Sequence, residues 1–515
     1  MKVLLVAPQV PWPPTQGTAL RNLNVAAQLA RRHSVTLLAF GAPDAALGPL
    51  AELGVRVFGS PAPPPRSITA RLRDTGLDAL PDLALRLSDP GLIALARDVA
   101  ASERRADPDG TGTGGFDVIQ IEGLEMAPIG MAAFAAACGA DGAAASSAAR
   151  LAPDRAARLA RGTRALDGRA RYSRARYSRA RDGRARDGRA RDGESGPDGP
   201  GAPSPRLIYD AHNAEWLLQH RAWMTDARHP SRWHGALYSV AQTLKLRRYE
   251  RSLMDAADAT VAVSEADARA LRSLGGRHRI AVVPNGVDTD TYEPESSGAR
   301  DEGGSSLSGS APVESGLCVF VGKMDFRPNV DAARWLCSDV WPRVRRAQPA
   351  ARLAIVGRDP APAVAALATG DVSVTGAVPD VRPWLERAQV VVVPLRVGGG
   401  TRLKVLEAMA MAKPIVATSL AVEGLDVRDG HEVLLADKPA DLAAAIARVM
   451  DDEQLQRDLG ARARAKAEAG YRWDVLVPRI EELYGDAGPR SDDPGCGAGL
   501  EGGYTGGLDD PGSNV

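Results

Sequence analysis

The chain's 515 residues are enough for two or more domains at roughly 150 residues each, and a hydrophobic fraction of 44% suffices for two buried cores. Its 64 basic and 64 acidic residues cancel, so no overall field draws it toward nucleic acid or a membrane. The four cysteines, Cys138, Cys318, Cys337 and Cys496, show no CxxC spacing and no histidines at metal-ligand distance, which points to free thiols in a reducing compartment and no zinc site.

Residues 2–7 form a first apolar strand. The run is too short for a signal peptide, and Pro8, Pro11, Pro13 and Pro14 break it at once. A loop containing Gly17 leads into a helix from about Leu20 to Arg32, with Leu20, Leu23, Ala27 and Ala30 at helical spacing. Further strands are expected at 35–40, 55–58, 118–121, 207–209, 259–263 and 280–283, with a long helix around Thr243–Ala256. Alternation of this kind gives a parallel sheet covered by helices. A second sheet is expected from strands at 317–321, 352–356, 372–374, 390–393, 414–417 and 432–435.

Residues 139–205 interrupt the first half between strands. They are rich in Ala, Arg, Asp, Gly and Pro and carry RARYS and RARDG repeats, a composition that buries almost nothing. A surface loop expansion explains them better than an arginine-rich arm, because Asp neutralises part of the charge. The stretch 294–316 reads as a Ser/Gly/Glu-rich linker, and 486–515 as an unstructured Gly/Asp-rich tail.

The most telling segment is Gly398-Gly399-Gly400-Thr401-Arg402-Leu403-Lys404-Val405-Leu406-Glu407, which follows the buried run Val390–Val393. A glycine loop here opens onto a helix with Thr401 as candidate N-cap. Arg402 and Lys404 sit in its cationic first turn, where a phosphate is welcome. Glu407, three residues after Lys404, shares that face and suits sugar hydroxyls. After the strand at 317–321, Lys323 and Arg327 lie where ligands collect in open α/β sheets; each is a diphosphate ligand or a solvated surface cation. In the first half, His212 follows the strand at 207–209, either facing substrate or held structurally while Asn213 and Glu215 cap the next helix. Gly17 either lets a ligand approach the backbone or simply serves a turn. No dinucleotide fingerprint, P-loop or serine nucleophile elbow is present, and no DxD lies among apolar strands to chelate a nucleotide-bound cation.

These segments, together with Pro284-Asn285-Gly286-Val287-Asp288, Val321-Gly322-Lys323, Pro379-Asp380-Val381 and Asp429-Gly430-His431-Glu432, resemble the retaining family-4 glycosyltransferases, in the sub-group with a GGGTRLKVLEAMA-type donor motif. The resemblance implies a GT-B fold: two Rossmann-like, doubly wound parallel-sheet domains facing across a cleft. Residues 1–293 would be the acceptor-side domain, 317–470 the nucleotide-sugar-binding domain and 471–485 a helix crossing back to the first. It implies a metal- and cofactor-independent enzyme moving a hexose from a UDP or GDP sugar to a glycan or lipid-linked acceptor in polysaccharide or cell-envelope synthesis. Catalytic residues would be His212, Lys323 and Lys404. Gly17, Lys323, Arg327, Gly399, Gly400, Thr401, Arg402, Lys404 and Glu407 would bind donor. Glu407 matches the second acid of the E-x7-E motif, but Gly399 replaces the first, and Pro328 stands where the family has a lysine. The alternatives are a nucleotide-sugar epimerase of this fold and a non-catalytic relative. A cytoplasmic location is expected, with peripheral contact between the basic helix at 245–251 and the anionic inner face of the cell membrane; no nucleic-acid partner is expected.

Overall fold

The structure is a computed structural model that describes residues 1–14, 16–41, 47–105, 114–139, 204–227, 233–276, 278–294, 313–398 and 402–485. The repeat-bearing segment, most of the linker and the tail lie outside the described residues.

Among the described residues, thirteen strands form two all-parallel sheets. The first has seven: β1 Lys2–Ala7, β2 Ser34–Phe40, β3 Arg56–Ser60, β4 Val118–Glu122, β5 Arg206–Ala211, β6 Ala259–Ala262 and β7 Ile280–Val282. Their order is β3-β2-β1-β4-β5-β6-β7. The second has β8 Leu317–Val321, β9 Arg352–Val356, β10 Val372–Val374, β11 Val390–Val393, β12 Ile415–Ala417 and β13 Leu434–Leu435, in the order β10-β9-β8-β11-β12-β13. Both orders reverse direction beside the first strand, between β1 and β4 and between β8 and β11. Open α/β sheets gather ligands at such switch points, outside the carboxyl ends of the strands.

The central strands are buried on both faces, which is why they read as continuous apolar runs such as VLLVA and VVVV. β4 departs from that rule. Val118, Gln120 and Glu122 alternate onto one face while Ile119 and Ile121 pack into the core on the other. β5 is in register, with Gln120 opposite Ile208 and Glu122 opposite Asp210.

The helices that shape the cleft are α1 Gly17–Ala30, α2 Ile68–Leu77, α3 Glu215–Asp226, α4 Trp233–Ala256, α5 Glu265–Arg272, α6 Arg327–Trp335, α7 Leu403–Ala410, α8 Glu453–Gly470 and α9 Trp473–Gly485. Helix α9 does not rest on the second sheet. Its Trp473, Leu476, Val477, Ile480, Leu483 and Tyr484 join the core beneath α1 with Val3, Leu5 and Ile208. Gly286 makes the crossing possible: a Cβ there would sit 2.7 Å from both the Trp473 ring and the Tyr471 carbonyl oxygen. The Val287 amide then bonds that same carbonyl at 2.8 Å. Among the described residues no helix is long and apolar enough to cross a membrane.

Candidate functional site

Two strand-to-helix loops of the second sheet meet at its switch point. Gly322 ends β8, and an added Cβ there would lie 2.8 Å from the Lys404 Nζ and 2.8 Å from the Asn329 amide nitrogen. Gly398, after β11, has φ 114°, which favours glycine, and its Cβ position is 3.0 Å from Pro328. Gly398 and Lys404 are therefore packed against the segment from Gly322 to Asn329.

Lys404 donates to Asn329 Oδ1 at 2.7 Å and lies 4.8 Å from the centroid of the Phe320 ring. Burial pushes its ammonium down to about 7, with Arg402 adding to the fall and Glu407 opposing it. Glu407 accepts from the Tyr292 hydroxyl at 3.2 Å, and burial raises its carboxyl against the pull of Tyr292 and Lys404. Helix α7 has no acidic residue in its first turn and no side-chain cap among the described residues. Its N-terminal amides thus add to the positive charge of Lys404, with no acid in the helix's own first turn to offset it. Its cap position is Arg402, one residue beyond the expected Thr401, because the helix begins only at Leu403. Gly399, Gly400 and Thr401 lie outside the described residues.

The remaining cations are placed differently. The Lys323 side chain is 47% exposed and pairs with Asp325 at 3.1 Å. Arg327 opens α6 and is exposed. Arg402 is buried on the seam between the halves, 3.9 Å from Glu423. Glu423 in turn forms a two-pronged pair with Arg221 of α3, at 2.9 and 3.1 Å. Gly17, at the start of α1, faces the same region: its Cβ position is 3.1 Å from Leu403 Cδ1, so the N-termini of α1 and α7 approach across the cleft. Helix α1 likewise lacks a side-chain cap and first-turn acids.

On the first-half side, the alternation of β5 puts Asp210 and His212 on the face that carries Glu122. His212 Nε2 lies 3.0 Å from Glu122 Oε2. Asp210 takes both of its oxygens to Arg21, at 2.9 and 3.1 Å, and Arg21 also donates to Asn285 Oδ1 at 2.9 Å and the Pro284 carbonyl at 3.2 Å. Glu122, Asp210 and His212 each bring one ligand-type atom within 4.8 Å of the others. They do not suit a cation, since the Asp210 oxygens are engaged by a guanidinium and those of Glu122 by Gln120 and His212.

Asn213 and Glu215 do not cap α3 as expected. The Ala214 amide bonds Asp267 of α5 at 3.0 Å, and the Glu215 and Trp216 amides bond Glu250 of α4 at 3.2 and 3.3 Å. A carboxylate brought from a distant helix outcompetes the local side chains because it is buried and reaches two donors. Burial and the neighbouring Glu215 raise the Glu250 carboxyl to about 8; burial raises Glu215 itself to about 7, with Glu125 contributing. Sequence reading missed Glu122, Glu250 and Asp267. Only Glu122 left a signal, as a charged residue ending a central strand that is apolar apart from Gln120.

Residues 315–452 match the family model described as Glycosyl transferases group 1, and residues 200–291 match Glycosyltransferase Family 4. A D-inositol 3-phosphate glycosyltransferase of Kineococcus radiotolerans is 29% identical over 266 residues, covering 46% of this chain and 58% of that protein. An uncharacterized glycosyltransferase of Methanocaldococcus jannaschii is 30% identical over 107 residues, 20% of this chain and 30% of that protein. The chain thus spans under two thirds of the length of either relative. Among solved structures, sucrose-phosphate synthase from Thermosynechococcus elongatus superposes with TM-score 0.56 at 15% identity, covering 94% of this chain and 98% of that one. Anabaena HepE in complex with UDP and glucose superposes with TM-score 0.54 at 15% identity, again over 94% and 98%.

The fold is GT-B.

In GT-B terms the β8/β11 switch point belongs to the C-terminal half and the β1/β4 switch point to the N-terminal half. Lys404, Glu407, Lys323 and Arg327 lie on the former and Gly17 and His212 on the latter, with Arg402 between them.

Proposed function

We propose that this protein is a retaining hexosyltransferase that moves a sugar from a UDP or GDP donor to a glycan or lipid-linked acceptor in polysaccharide or cell-envelope synthesis. The observation that carries this reading is helix α7, which carries Lys404 and Glu407 on one face, has no acidic residue in its first turn, and meets the N-terminus of α1 across the cleft. Amide N–H groups and a buried ammonium stabilise a diphosphate, and Glu407, already accepting one hydroxyl, is chemically suited to the ribose. Lys323 and Arg327, half-exposed at the rim, complete the positive side. The matched family descriptions and HepE, solved with UDP and glucose, support the same reading.

The domains would be 1–293 and 317–470, with 471–485 returning to the first. In this reading, departure of the diphosphate relies on these side chains and helix ends. In a front-side transfer the bond from the anomeric carbon to the phosphate oxygen breaks and the acceptor oxygen bonds the same face. The leaving oxygen takes the acceptor proton, so no protein base is required. Closure of the halves keeps water from the donor.

A lipid-linked acceptor is supported by α2, which contains no buried residue. Its Arg71, Asp74 and Thr75 turn toward Asp82, Arg66 and Gln242, while Ile68, Leu72 and Leu77 are 57–74% exposed. On the adjoining α4, Leu237 and Leu244 are also exposed, followed by exposed Arg247, Arg248 and Arg251. Apolar side chains flanked by arginines suit the anionic inner face of a membrane.

Calorimetric titration with UDP and with GDP tests the donor site. One of them binds the wild type, and Glu407→Ala weakens it about tenfold or more, as expected for a lost charge-assisted hydrogen bond. Absence of binding for both nucleotides would overturn the assignment.

A further inference from the structure

The histidine on the acceptor side is held by more than its own strand. Glu122 meets His212 Nε2 with one oxygen, and its other oxygen accepts from Gln120 Nε2 at 2.6 Å. Gln120 Oε1 in turn pairs with the Tyr484 hydroxyl at 2.6 Å. Gln120 and Glu122 are fully buried and Tyr484 is 4% exposed. The directions follow from the chemistry of the groups. A carboxylate can only accept, so Gln120 presents its nitrogen to Glu122 and its oxygen to Tyr484, and the phenol must donate. Strand alternation makes the chain possible, since Gln120 and Glu122 are two apart on β4 and face α9.

We propose that Tyr484, Gln120 and Glu122 form a hydrogen-bonded relay that positions His212 and favours its charged form, so that the helix returning from the second half completes the histidine site of the first. The proposal rests on the transferase reading, and it assigns these three as positioning residues. With Nε2 committed to Glu122, Nδ1 is the ring atom that meets the donor, and as an imidazolium it can donate to negative charge developing on the leaving group. The surroundings agree. Burial pulls the His212 imidazole down, but the bond to Glu122 and the charge of Asp210 outweigh it and hold the ring above its usual value, with Arg21 opposing. The charge of His212 in turn lowers the Glu215 carboxyl, against the burial that raises it. Tyr484 sits on the helix that crosses between the halves, so displacing α9 would reorient the amide, then the carboxylate, then the imidazole.

The test uses the full chain with isotope-labelled histidine, titrated by NMR, with His212→Asn to assign the signal. Glu122→Gln shifts the His212 titration to lower pH, and Tyr484→Phe shifts it less in the same direction. With UDP-glucose and GDP-mannose as probes, Glu122→Gln lowers kcat about 10- to 100-fold with little change in KM, and Glu122→Asp restores part of it. Because His212 acts as the cation, activity in Glu122→Gln is lost at a lower pH than in wild type. Should Glu122→Gln fail to fold, Tyr484→Phe removes a single hydroxyl and carries the test. An unchanged His212 titration in Glu122→Gln overturns the relay, and an unchanged one in Tyr484→Phe overturns the part assigned to α9. If the titrations move as expected but neither nucleotide sugar binds or turns over, the transferase reading fails while the relay stands.

Discussion

Binding of a diphosphate at α7 carries a proton with it. In the apoprotein burial holds the Lys404 ammonium down at about 7 instead of 10.5, so near neutral pH much of it is uncharged. A diphosphate placed beside it supplies the opposite charge that Glu407 alone does not, and the bound lysine returns to the cationic form. At pH 7.5 the apoprotein carries that proton on about a quarter of its molecules, so each binding event takes up about 0.75 of a proton. At pH 6 the uptake falls to about 0.1. Integrated between pH 6 and 8, affinity weakens about tenfold as pH rises, because the proton needed for binding becomes scarcer.

The assay is calorimetry in buffers of differing ionisation enthalpy, with UDP-glucose or GDP-mannose as ligand. Their esterified diphosphates do not titrate near neutral pH, so the uptake is the protein's. Lys404→Met should abolish most of it and flatten the pH dependence. Glu407→Gln, in which the other titrating group of the helix face is removed, separates the two. Uptake close to zero in wild type, or the same uptake in Lys404→Met, refutes the reasoning.

Other consequences concern stability and surfaces. Arg21→Met leaves Asp210 buried without its guanidinium partner and should cost about 3–5 kcal/mol in chemical denaturation, whereas adding Asp210→Leu to it recovers a large part; equal losses in the single and double variants would contradict that account. Glu250 is raised from 4.5 to about 8 by burial, so its contribution is fully present below pH 4.5 and lost as pH rises through 8. Glu250→Gln should therefore match wild type near pH 5 and exceed it near pH 8.5, by at most about 5 kcal/mol. A gap that does not change with pH in urea unfolding would dismiss that assignment. Sedimentation with anionic vesicles should capture the wild type and release the Ile68→Asp, Leu72→Asp double variant; retention of both would mean that the exposed ridge of α2 does not touch lipid.

The two parallel sheets were legible because their strands are buried on both faces, so Val390–Val393 or Val3–Ala7 has nowhere to alternate. The same physics hid the cluster around His212. Glu122 meets His212 across 90 positions of chain, and Glu250 reaches the Glu215 amide across 35, and no periodicity links such pairs. The expected local caps at Asn213 and Glu215 lost to Glu250 and Asp267 for that reason. Helix α2 turns its polar side chains inward and Ile68, Leu72 and Leu77 outward, since its inner neighbours Asp82, Tyr238 and Gln242 are themselves polar. At α7 the spacing of Lys404 and Glu407 was readable, but not that Arg402 would turn to the seam beside Glu423 rather than stand with Lys404.

That division of charge bears on how a GT-B cleft keeps its two substrates apart. The C-terminal side of the seam presents Lys404, Lys323 and Arg327 with an uncapped helix. The N-terminal side is rich in acids, and its buried guanidinium, Arg21, is bound up with Asp210. Under the proposed function, this charge distribution favours a diphosphate on the C-terminal side and leaves the acid-rich face to a hydroxyl-bearing acceptor. On that face, the surroundings of the His212 imidazole favour its charged form, at the carboxyl end of β5. The Arg221–Glu423 pair that bridges the halves is only partly buried, so it is worth at most about 1 kcal/mol. It can break and re-form as the cleft opens, while the crossing at Gly286 and α9 holds the halves together throughout.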